Sequence, residues 1–61
     1  MLAREYIEKA LYSCQRALKD LKNDDIRKTL GDLDFVEDRV KAAKILLRLE
    51  LKEREGSMKN G

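Results

Sequence analysis

Apolar side chains recur at alternating spacings of four and three from Ala3 through Ile7, Ala10, Cys14 and Ala17 to Leu21, with Leu11 and Leu18 widening the stripe. That pattern is one face of an amphipathic helix. With heptad position a given to Ile7, Cys14 and Leu21, position d falls to Ala3, Ala10 and Ala17, a column of small side chains that lets a neighbouring backbone come close. Alanine's helix propensity explains its abundance but not three at strict seven-residue spacing. The expectation is antiparallel packing at short interaxial distance.

A second register follows, with Ile26, Leu33, Val40 and Leu47 at a, Val36 and Ala43 at d, and Leu30 and Leu51 on the e edge. A helix continued straight through from the first would place Ile26 and Leu30 about 140–200° from the earlier seam, so the chain must break between them. Asn23 suits a left-handed residue ending the first helix, Asn23 or Asp24 can cap the next, and Asp24 and Asp25 favour the positive end of its dipole. The sequence predicts helix 1 over about 2–22, a turn at about 23–24 and helix 2 over about 24–55, together a helical hairpin spanning 1–56. Gly31 is a rival boundary, since Asp34 and Glu37 imitate a capping box. The apolar register passes it unbroken, so one long helix is expected, with Gly31 costing about 1 kcal/mol against alanine and giving room for a close helix contact. Gly56 is expected to stop helix 2 and 57–61 to form a disordered tail.

The two segments are unequal, roughly 31 Å against 48 Å at about 1.5 Å per residue. Folded back on each other, they are expected to leave Ile45, Leu46, Leu47, Leu49 and Leu51 beyond the reach of helix 1. Phe35, Ala42, Leu46 and Leu49 widen the apolar arc of helix 2 past what one partner helix covers. A second hairpin covers it. The expected fold is therefore all-α, an antiparallel two-helix hairpin that dimerises into a four-helix bundle, with Phe35, Ala42, Ile45, Leu46, Leu47, Leu49 and Leu51 as the dimer interface. A tetramer or a different protein partner would cover the same surface.

Composition narrows the chemistry. In 61 residues, 43% charged and 43% hydrophobic, there is no Pro or His and a single Cys, so neither an intrachain disulfide nor a familiar zinc site can staple so small a core. No apolar run reaches 18 residues, and Arg4, Glu5, Glu8 and Lys9 interrupt the first segment; neither a membrane span nor a secretory signal is expected, and a reduced, cytoplasmic setting is. Amide side chains are scarce beside ionic ones, with only Gln15, Asn23 and Asn60, a balance reported for hyperthermophile proteins.

Charge is segregated along helix 2. Six acidic residues stand against Arg27 and Lys28 over 24–38, and six basic ones against Glu50 and Glu53 over 39–54. Acids near a helix N-terminus and bases near its C-terminus complement the macrodipole, and Glu37 with Lys41 and Glu50 with Arg54 are favourable i,i+4 pairs. Lys41, Lys44, Arg48 and Lys52 also line up beside the apolar seam as a candidate nucleic-acid contact, a stripe able to follow phosphates. Catalysis is not expected, because general acid–base work needs groups held in a cleft with shifted pKa values. The acidic cluster of Asp32, Asp34, Glu37 and Asp38 reads as a solvated face, without the glycine and spacing of a calcium loop, and Cys14 reads as a small buried hydrophobe. The sequence thus points to a small non-enzymatic structural or interaction module, a regulatory or assembly subunit, with no cofactor and no metal; a nucleic-acid-binding dimer is the alternative.

Overall fold

The computed structural model describes residues 1–60, for 57–60 the backbone only. Two helices, α1 (Leu2–Lys22) and α2 (Ile26–Asn60), form an all-α hairpin 55 Å long and 15 × 12 Å across. The break falls where the registers part, and its chemistry differs in detail from the expectation. Asn23 keeps φ at −87°, and it is Asp24 that takes the left-handed conformation, φ 60°. The amide of Asp25 donates to the Asp20 carbonyl at 2.8 Å and that of Asp24 to the Leu21 carbonyl at 3.0 Å. This is a Schellman end to α1, with aspartate where glycine is usual. Asp25 then caps α2: its Oδ1 accepts from the Lys28 amide at 3.1 Å, and its carbonyl accepts from the Thr29 hydroxyl at 2.8 Å. One residue closes one helix and the next opens the other.

α2 runs unbroken through Gly31, as the register implied. A Cβ at Gly31 would meet nothing within 4 Å, so the glycine makes no close helix contact there. α2 also continues through Gly56 to Asn60, so Gly56 does not stop the helix; the terminal Gly61 lies outside the described residues.

The hairpin's core is small. Its buried apolar residues are Ala3, Ala10, Ala17 and Ala43, each 3–7% exposed, joined by two polar residues, Thr29 and Asp32. Val36 and Leu46 are half-buried along the same seam. The alanine column does face the partner helix, but the a column beside it does not. Ile7, Leu21, Ile26, Leu33, Val40 and Leu47 all stand more than 40% exposed. Among the described residues no large side chain is fully buried.

α1 ends level with the middle of the stretch expected to overhang it. Ala43 is buried and Leu46 half-buried, while Met1 lines one cleft with Leu47, Glu50, Leu51 and Arg54. Leu46 and Leu47 therefore lie beside the first residues of α1, and α2 continues past them.

Candidate association surface

The exposed apolar residues are ordered. On α1, Ile7, Leu11, Cys14, Leu18 and Leu21 repeat the four-three spacing roughly 40–100° round the helix from the alanine column. On α2, Leu30, Leu33, Val40, Leu47 and Leu51 are offset likewise from Thr29, Val36 and Ala43. In an antiparallel pair both offsets point to the same side of the hairpin. The cleft between the helices near the turn bears this out: about 330 Å³, it is lined by Cys14, Ala17, Leu18 and Leu21 of α1 and by Thr29 and Leu33 of α2. The outer face so formed carries large side chains 41–69% exposed, which makes it the candidate association surface of the hairpin. Cys14 sits half-buried in it.

The residues expected to form a dimer interface lie on two sides of α2, with Phe35, Ala42, Ile45, Leu46 and Leu49 on the flank away from Leu47 and Leu51. Leu47 and Leu51 belong to the outer face, beside Met1. Ala42 and Leu46 are half-buried at the edge of the hairpin seam. Phe35, Ile45 and Leu49 are exposed, roughly 120–160° round α2 from Leu33 and Leu47. Phe35 is partly served by its own helix, since the Arg39 guanidinium lies 5.6 Å from its ring centroid, a cation–π distance. Missed in the sequence were the α1 contributors, Leu11 and Leu18 above all; their four-three spacing with Ile7 and Leu21 carried the signal.

The basic stripe of Lys41, Lys44, Arg48 and Lys52 is exposed and borders the outer face on the side away from α1. Lys41, Lys44 and Arg48 line a shallow cleft of about 210 Å³ with Ile45. On the opposite side of the hairpin, Tyr12, Arg16, Lys19, Asp20, Asn23 and Lys28 line a polar cleft of about 370 Å³.

Asp32 does not sit on a solvated acidic face. It is 6% exposed, because its position turns it into the hairpin seam while Asp34, Glu37 and Asp38 stay exposed. Its Oδ1 lies 3.9 Å from Arg16 Nε, and its buried Oδ2 has no donor. A hydrogen bond shared with the Asp20 carboxyl, then burial, then the Asp20 charge raise its pKa, against the pull of Arg16 and Lys28. Among the described residues no group of three or more acidic, Cys or His side chains is placed to hold a metal ion, and no helix is long and apolar enough to cross a membrane. No protein-family model, curated protein or solved structure matches this chain.

Proposed function

We propose that this chain is a non-enzymatic interaction module that completes its core by pairing with a second copy, a homodimeric four-helix bundle serving as a regulatory or assembly subunit. The observation that carries the reading is the division of the hairpin into a seam of alanines and an outer face to which both helices contribute their large apolar residues. A chain this size gains little from the seam alone. Joining two outer faces gives each hairpin the layered core of a bundle. Sedimentation equilibrium tests it: the wild-type chain sediments as a dimer at micromolar concentration, and Leu47→Glu yields a largely unfolded monomer. A fully helical wild-type monomer with a cooperative melt at that concentration refutes the proposal.

The alternative, nucleic-acid binding by the dimer, draws its support from the cleft shared by Lys41, Lys44 and Arg48. Phosphate contacts make affinity fall steeply with salt, by a slope of about 0.9 per contact on duplex DNA. Titration with RNA and DNA at two salt concentrations separates the readings. Micromolar, salt-sensitive binding that disappears when Lys41, Lys44 and Arg48 are all changed to Gln, with the fold intact, establishes the alternative.

A further inference from the structure

Two hairpins can join outer faces with both turns at one end, or with the turns at opposite ends and α2 lying antiparallel on the partner's α2. We infer, resting on the self-association proposed above, that this chain pairs in the second way, about a twofold axis beside Val40.

The first ground is the pattern of the outer face of α2 itself. Its four-three spacing is apolar from Leu30 to Leu51 except at Glu37 and Lys44, opposite charges placed on either side of residues 40 and 41. Reversing the helix about that point carries Leu33 onto Leu47, Leu30 onto Leu51 and Glu37 onto Lys44. The face is complementary to its own reversed copy, which is what an isologous contact requires. With both turns at one end, α2 lies instead over the partner's α1, and the two charges lose this pairing.

The second ground is the polarity of the whole hairpin. Residues 13–38, around the turn, hold five basic and seven acidic side chains, whereas the open end, residues 1–12 with 39–56, holds eight basic and five acidic. Opposed turns set the basic end of each copy against the acidic end of the other, an arrangement that steers encounter and fixes register; aligned turns bring the two basic ends together. The third ground is length. α2 continues beyond the first residue of α1, and the cleft lined by Leu18, Leu21 and Leu33 lies open at the far end. A reversed partner lays the C-terminal third of its α2, with Leu47 and Leu51, over that cleft.

Disulfide trapping in a Cys14→Ala background tests the arrangement. On mixing and oxidising Leu33→Cys and Leu47→Cys chains, the heterodisulfide between them should form, while Val40→Cys should link to itself. Absence of that link in chains that still dimerise, or self-linked Leu33→Cys or Leu47→Cys dimers in its place, would overturn the inference with dimerisation intact. A chain that is monomeric throughout fails at the earlier step instead, taking both readings with it. Should these core cysteines unfold the protein, surface charges give the same answer. Glu37→Lys or Lys44→Glu alone should weaken dimerisation roughly tenfold, as symmetry presents the pair twice, and the double reversal should restore it. A double variant no tighter than the single ones overturns the antiparallel register. Raising salt should loosen the wild-type dimer; tightening by salt would indicate like ends in contact and count against it.

Discussion

The inner seam and the outer face of this hairpin divide the labour of a core between them by side-chain size. Ala3, Ala10, Ala17 and Ala43 line the seam, where one-carbon side chains permit close approach and a polar pair, Thr29 and Asp32, is enclosed near the turn. Leu11, Leu18, Leu30 and Leu33 stand on the outer face, each more than 40% exposed. The hydrophobic contribution of a methyl is about 0.8 kcal/mol and that of a buried leucine about 1.5–3 kcal/mol, so the larger share of the available stabilisation lies outside the hairpin. The difference teaches that the seam sets geometry while, on the proposed pairing, the face supplies the driving force.

Truncation of the outer face attacks this division hardest. Leu30→Ala should cost about 2–5 kcal/mol per chain if the face is buried in a dimer, and a few tenths if it stays in water; denaturation at two protein concentrations reads which holds. Enlarging the seam comes next. Ala10→Leu and Ala17→Leu should each destabilise by roughly 1–3 kcal/mol through overpacking, and melting temperatures equal to wild type for both would remove the close-packing claim. Gly31→Ala should stabilise by up to about 1 kcal/mol, since the added methyl meets no neighbour and glycine is the poorer helix former. Asp24→Gly should stabilise by about 1 kcal/mol or less, relieving a positive φ that L side chains adopt at a cost. Asp32 offers the smallest effect, visible as a slope. Because its folded pKa is raised, its contribution is fully present below the unfolded value and is lost as pH rises through the folded one. Melting between about pH 3.5 and 7 should therefore show the wild type losing ground on the alkaline side relative to Asp32→Asn. A steeper decline in Asp32→Asn than in the wild type would contradict the raised pKa.

Much of this was legible along the chain. The phase slip between the stripe ending at Leu21 and the one starting at Ile26 located the break, and the seven-residue alanine spacing picked out the side of α1 that meets α2. Less legible was which column of each stripe turns inward. Heptad positions a and d are about 50° apart, and the pattern treats them as one seam, but a single partner helix covers only the narrower arc. The small residues took it, leaving Ile7, Leu33 and Val40 exposed. Asp32 escaped because a charged residue on a helix is normally solvated, and only the position of Asp20 and Arg16 on the facing helix makes its enclosure tolerable. Gly56 carried a stop signal that the surrounding helix formers overrode.

Three residues, 23–25, join the helices, so the hairpin can zip from its turn, each new layer closing little extra loop. Helices relax in about 0.1–1 μs, whereas at ~10 μM a chain with an ordinary association constant meets a second copy only after roughly 10 ms to 1 s. On the proposed pairing, the alanine seam closes thousands of times sooner than the leucines outside it find cover. Each newly made hairpin then passes through an interval in which its outer leucines are bare, and the abundance of its own kind sets how long that exposure to other apolar surfaces lasts.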